Sequence, residues 1–154
     1  MNAVHSMADH PGWIATAAVW WHQQWGAAMG FSPEGAVAAI TALTIPGSGQ
    51  AALIGLVDGQ PAGSVFLVDS DLETHTHLKP WLAGLFVLPQ FRRLGLGEQL
   101  VSALVAKAGT LGHDRLYLYT AASDFYLKRG WQTIETLTLH GVPHEVMGLA
   151  TRPA

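Results

Sequence analysis

The chain has 154 residues and no cysteine, which excludes a disulfide framework, a thiol nucleophile and a thiolate metal site. Charge is sparse as well. Asp, Glu, Lys and Arg make up 12% of the residues with a net charge of -3, so the basic face of a general nucleic-acid binder is missing. No apolar run is clean enough for a membrane: the most apolar early stretch, Trp13 to Gly30, carries His22, Gln23 and Gln24 in its middle. No secretory pattern opens the chain, and with no cysteine the expectation is a cytoplasmic location. Repeats, low-complexity tracts and linkers are also lacking, so 1–154 reads as a single domain. What the chain does have is a hydrophobic content of 49%, enough for a substantial core.

The informative stretch is Leu82 to Leu104. Leu82, Leu85, Phe86, Val87 and Leu88 form an apolar run of strand length, and Pro89 ends it because proline has no N–H for a ladder. Arg92-Arg93-Leu94-Gly95-Leu96-Gly97 follows. Leu96, Leu100, Val101, Leu104 and Val105 recur at spacings of three and four, predicting a helix that begins near Gly95, buries one face and ends around Gly109 to Gly112. A helix start leaves about four N–H groups without partners and carries partial positive charge. Gly95 and Gly97 hold no side chain over those donors, while Arg92 and Arg93 add charge at the mouth, so an anion such as a pyrophosphate fits. Glycines at a helix start also allow close packing on a neighbour, and these residues alone do not choose. A P-loop would need Gly-Lys-Ser/Thr, and a dinucleotide fingerprint would need a third glycine where Leu100 stands.

In chain order, Met1 to His10 reads as a loose terminus. Pro11 suits a first helical turn that Asp9 could cap, and Trp13, Ala17, Trp20, Trp21, Gln24, Trp25 and Ala28 follow a helical stripe. Its tryptophans point to core packing, with a pocket wall or a homodimer contact as alternatives. Ser32-Pro33-Glu34 is a helix start, continued by Val37, Ile40 and Leu43. Ala51 to Val57 and Ala62 to Val68 flank Asp58-Gly59, a hairpin signal. A polar segment, Asp69 to Pro80, leads into the central strand. Arg115 to Thr120 alternates as a strand, Ser123 or Thr120 can cap a short helix holding Phe125, Tyr126 and Leu127, and Gly130 ends it. Trp131 to Leu139 and Glu145 to Ala150 close the chain as a hairpin around His140-Gly141-Val142-Pro143. The architecture expected is a three-layer α/β domain: a mixed, centrally parallel sheet of about six or seven strands with helices on both faces.

Charge is unevenly placed. Six of the eight Lys and Arg residues lie between positions 92 and 129, and three of the eleven acids, Asp69, Asp71 and Glu73, cluster before the central strand. This separation fits a polyanion at one region and a cationic partner at the other.

Arg92-x-x-Gly95-x-Gly97 between an apolar strand and an amphipathic helix resembles the acetyl-CoA signature of the GNAT superfamily of N-acetyltransferases, Gln/Arg-x-x-Gly-x-Gly/Ala. Arg115 to Trp131, with its Phe-Tyr-x-x-x-Gly-aromatic ending, is similar to that superfamily's later strand and helix. The resemblance implies acetyl-CoA as co-substrate and no metal, with a pantetheine arm inserted as an extra strand between Leu85–Val87 and Tyr117–Thr120. It implies cofactor contacts from Leu85, Phe86, Val87, Arg92, Arg93, Leu94, Gly95, Leu96, Gly97, Glu98, Thr120 and Tyr126. A backbone N–H near Phe86 or Val87 would hold the developing oxyanion, and Tyr126 matches the general acid that protonates the leaving thiolate.

Many members carry an asparagine after the later strand; here the segment is Thr120-Ala121-Ala122-Ser123, so Thr120 or Ser123 substitutes or that contact is absent. The superfamily has no single base. Glu73 is the preferred candidate, with Asp71, His75, His77 or a water as alternatives. His75-x-His77 would share one face of a strand, but no third ligand lies at a suitable spacing for a metal. The acceptor expected is a small primary amine, given the acidic segment and the aromatic first helix, with a protein N-terminus or lysine as the next reading. A non-catalytic CoA-binding or sensing domain and a nucleotide-binding module are the competing classes.

Overall fold

The computed structural model describes residues 1–152. Seven strands form one mixed sheet in the order β1-β2-β3-β4-β5-β7-β6. They are β1 (Asn2–Ser6), β2 (Ala51–Val57), β3 (Gln60–Val68), β4 (Trp81–Val87), β5 (Arg115–Thr120), β6 (Gln132–Leu139) and β7 (Val142–Ala150). Neighbours run antiparallel except β4 and β5, which are parallel. The helices are α1 (Ile14–Trp21), α2 (Pro33–Leu43), α3 (Leu96–Thr110) and α4 (Asp124–Leu127).

Period-two alternation in β2 and β3 divides the core. Ala51, Leu53, Val65 and Leu67 face α3, together with Leu100 and Leu104; Ala52, Ile54, Leu56 and Phe66 face α1 and α2, together with Ala17, Trp20 and Ile40. Helices thus cover both faces of the sheet, as expected. Close approach is built in: a Cβ on Gly55 of β2 would stand 2.8 Å from Cδ1 of Leu96, so a glycine lets the first residue of α3 seat on the sheet.

The Ser32 cap and the Asp58-Gly59 hairpin turn form as expected, whereas no side chain caps the turn at Pro11, where His10 and not Asp9 stands at the cap position. The Ser32 hydroxyl accepts from the Gly35 N–H at 2.9 Å, and the β2–β3 turn places Asp58 at φ 50° and Gly59 at φ 81°, the paired left-handed conformations of a two-residue hairpin turn. The β6–β7 turn is tighter than expected, formed by His140 and Gly141 alone, so Val142 and Pro143 begin the last strand. Ser123 stands at the start of α4, but it contributes its backbone carbonyl and not its side chain; the Thr120 hydroxyl accepts from the Ala122 N–H at 3.0 Å.

Two expectations are corrected. The first residues are not loose: Asn2 to Ser6 pair in register with Val57 to Leu53, because β2 offers an open edge whose N–H and C=O groups need partners. Met7 beyond them is wholly buried. The tryptophan helix is also not continuous α-helix. After Trp21 it widens into π-helical turns over His22–Gly26, with the Ala27 N–H donating to the His22 carbonyl at 3.0 Å.

The feature that positions the site lies in β4. Ser64 of β3 opposes Phe86 and Phe66 opposes Ala83, so Gly84 and Leu85 share one partner and form a bulge. Gly84 sits at φ 64°, and a Cβ there would lie 2.5 Å from the Phe66 ring. On the other side, β4 meets β5 only at Trp81 and Tyr117 among the described residues. Beyond that pair the two parallel strands separate.

Candidate active site

The separation opens a cleft of about 520 Å³. One wall is β4 at Leu85, Phe86 and Val87; the opposite wall is the end of β5 at Thr120 with Ala122, Phe125 and Tyr126 of the following segment; the floor is the start of α3. Eleven of the twelve residues expected to contact a cofactor line this space. Leu94 does not: it is 52% exposed, and its carbonyl accepts from the Asn2 side chain at 2.9 Å.

The floor has the features of an anion site. Gly95 precedes α3 at φ 81° with no side-chain cap on the helix, and nothing stands within 4 Å of where its Cβ would be. The residues that carry the first N–H groups of α3, Leu96, Gly97 and Glu98, line the cleft with no side chain capping them. Arg92 is anchored at the mouth by a 2.9 Å bond from Nε to the carbonyl of Val87, the last residue of β4. Arg93 holds a positive φ of 65°, uncommon for a residue with a side chain. The one acid of the rim, Glu98, pairs with Arg129, whose guanidinium also lies 3.8 Å from the Phe125 ring centre. With Glu98 paired, Arg92 and Arg93 set the local charge. These residues fit a bound pyrophosphate.

A second cavity of about 360 Å³ lies on the other side of the gap. Trp25, Leu85, Thr120 and Tyr126 line both spaces, so the two meet where β4 and β5 part. Tyr126 stands at the junction, 9% exposed, with its ring edge-on to Phe125 and to Trp131. Burial pushes its hydroxyl up to about 12, against a lesser lowering by Arg129, so the phenol keeps its proton throughout the neutral range.

The second cavity gathers Asp71 with Tyr119, His144, Trp21 and Met29. Asp71 remains open to solvent, yet it lies in a recess where protein replaces much of its hydration, and this desolvation raises its carboxyl to about 7. Accessibility and desolvation coexist because the recess is concave. Burial, and then the Asp71 charge, likewise raise the Tyr119 hydroxyl.

Glu73 lies in a short 3-10 turn with His75 and lines neither cavity. His75 is hydrogen-bonded through Nε2 to the Glu135 carboxylate and stacks on His77 at 5.8 Å between ring centres. Among the described residues no cluster of three or more His, Asp or Glu could hold a metal, and no helix is long and apolar enough to cross a membrane.

Core packing is the first reading of the tryptophan helix in the sequence, yet Trp21 and Trp25 line the cavities, as the pocket-wall alternative has it, while Met29 and His144 line the second cavity with no sign of it in the sequence. The available signal was Trp21 and Trp25 four residues apart. The wide turns from His22 to Gly26 carry Gln24 and Trp25 to the first cavity.

No curated protein sequence matches the chain. Solved structures share its fold. Aminoglycoside 6'-N-acetyltransferase from Enterococcus faecium superposes with a TM-score of 0.73 at 16% identity, covering 100% of this chain and 98% of that one. An aminoglycoside 6'-N-acetyltransferase complexed with coenzyme A gives 0.74 at 14% identity over 99% and 98%. The Salmonella typhimurium protein yncA with its cofactor acetyl-CoA gives 0.75 at 14% identity over 99% and 95%. The model of the acetyltransferase (GNAT) family matches residues 14–131, a span that runs from α1 through the parted strands and the α3 start to Trp131. The chain belongs to the GNAT family and is an acetyltransferase.

Proposed function

We propose that this protein moves an acetyl group from acetyl-CoA to the primary amine of a small molecule, with cofactor in the first cavity and acceptor in the second. The observation that carries the reading is the meeting of the two cavities at Tyr126, in the gap where β4 and β5 cease to pair. Acetyl-CoA supplies an activated acyl carbon with a thiolate leaving group.

The start of α3, with Gly95, Leu96, Gly97 and Glu98, and the side chains of Arg92 and Arg93 hold the pyrophosphate. The free edge of β4 at Leu85, Phe86 and Val87 binds the pantetheine amides by strand addition, with Thr120 on the facing wall. The N–H of Phe86 or Val87 receives the charge that develops on the carbonyl oxygen.

Asp71 serves as the base, in preference to Glu73, because it lines the acceptor cavity and its raised carboxyl is matched to neutral pH. An acceptor ammonium loses one proton to solvent. As the N–C bond forms and the C–S bond breaks, Asp71 takes the second proton from nitrogen and Tyr126 gives its phenolic proton to sulfur. Return of the proton from Asp71 to Tyr126 through water restores both groups. Since the Tyr126 hydroxyl stands near 12, its proton moves in step with C–S cleavage and not before it.

Calorimetric titration with acetyl-CoA, using ATP as control, tests the cofactor assignment. One-to-one binding of acetyl-CoA that is lost in Gly97→Glu is expected. Failure of the folded protein to bind acetyl-CoA, or equal binding of ATP, would overturn it.

A further inference from the structure

We infer that the acceptor is an arylalkyl monoamine, a single primary amine carried on a flat aromatic body; this rests on the acetyl-transfer reading above and deepens it.

The second cavity contains one acid, Asp71; its other titratable groups are Tyr119, Tyr126 and His144. One carboxylate neutralises one ammonium. A polycation such as an aminoglycoside would bring further ammonium groups into a space walled by Trp21, Trp25 and Met29, where each would lose hydration without a partner. The polar endowment of the cavity thus matches a monoamine and disfavours the aminoglycosides for which two of the fold relatives are named.

The apolar endowment points to an aromatic body. Trp21 and Trp25 lie four residues apart across the start of the π-helical turns, and both line the cavity. Trp21 is held edge-on by Phe31 at 5.0 Å between ring centres, and its indole fills the space beside Gly26, where a Cβ would lie 2.5 Å away. A ring so fixed is a prepared surface for stacking. Trp25 and Met29 are 37% and 65% exposed, so together they offer apolar surface at the cavity that an aromatic ligand would cover. The volume of about 360 Å³ stands near the lower end of small-molecule sites, roughly 300–1,000 Å³, and suits one or two fused rings with a short aminoalkyl chain.

The test is thiol release from acetyl-CoA with 2-phenylethylamine, tryptamine, putrescine, kanamycin and a peptide with a free N-terminus, each product confirmed by mass, alongside acetyl-CoA calorimetry. The arylalkylamines are expected to exceed putrescine and kanamycin in kcat/KM by about tenfold or more, the worth of one unpaired or misplaced polar group. Met29→Glu adds a second carboxylate at an exposed position and should raise the putrescine to phenylethylamine ratio by about tenfold. Preference for putrescine, kanamycin or the peptide, or no arylalkylamine turnover by protein that binds acetyl-CoA, overturns the acceptor assignment and spares the cofactor reading. Folded protein that does not bind acetyl-CoA brings down both.

Discussion

Trp81 of β4 stands in register with Tyr117 of β5, their rings 5.9 Å apart, and it is the last point at which the two parallel strands pair among the described residues. The Tyr117 N–H donates to the Pro80 carbonyl at 3.0 Å, and the Trp81 indole N–H donates to the Leu78 carbonyl at 2.7 Å. The wholly buried Trp81 is thus the fixed end from which the cleft opens. Trp81→Ala is expected to lower stability by about 3–5 kcal/mol, read by urea unfolding. A loss under 1 kcal/mol would mean that the junction is held elsewhere.

The bulge at Gly84 turns that junction into a gap. An alanine there must adopt φ 64° and meet the Phe66 ring, so Gly84→Ala should cost about 2–4 kcal/mol in strain and overpacking. Alanine that is tolerated without loss, by the same unfolding measurement, would show that the bulge yields easily.

The distribution of what the sequence discloses follows the range of the interactions. α3 and its open start were legible because strand, turn and helix are contiguous and the glycines carry their meaning locally. The Ser32 cap and the Asp58-Gly59 turn are of the same kind. β1 was not legible: Asn2-Ala3-Val4-His5-Ser6 has no useful alternation, and it becomes a strand because the β2 edge, some fifty residues later, supplies partners. The ranking among Asp71, Glu73, His75 and His77 was likewise out of reach, since a loop's neighbours on other strands decide which acid enters the cavity. Trp21 and Trp25 were visible as a pair, but the π-helical turns that orient the latter leave no clear mark in the sequence.

Tyr126→Phe removes one oxygen from a residue packed between Phe125 and Trp131, so the fold should be unchanged and acetyl-CoA should still bind. If Tyr126 supplies the proton to sulfur, kcat should fall about 10²-fold or more. Rapid-quench measurement of the chemical step distinguishes this from slow product release. An unchanged chemical step would remove Tyr126 from the reaction.

Asp71 links activity and stability through one carboxyl, and the signs of the two effects differ. As base it works when ionised, so kcat/KM should rise with pH through about 7, and Asp71→Asn should abolish that limb, leaving the titration of the amine. For stability, the folded-state carboxyl is raised from the ordinary 3.8 to about 7 by desolvation. Between those values the unfolded chain has already released the proton that the folded protein retains. The stabilising contribution of the protonated carboxyl is therefore full below about 3.8 and is lost as pH rises through about 7. Asp71→Asn carries no charge to desolvate, so its melting temperature relative to the parent should increase from pH 5 to pH 8. Paired thermal melts at the two pH values measure this difference. A parent that gains on the variant toward pH 8 would mean that a cationic neighbour stabilises the Asp71 carboxylate, and Asp71 would then be too weak a base for the role assigned to it.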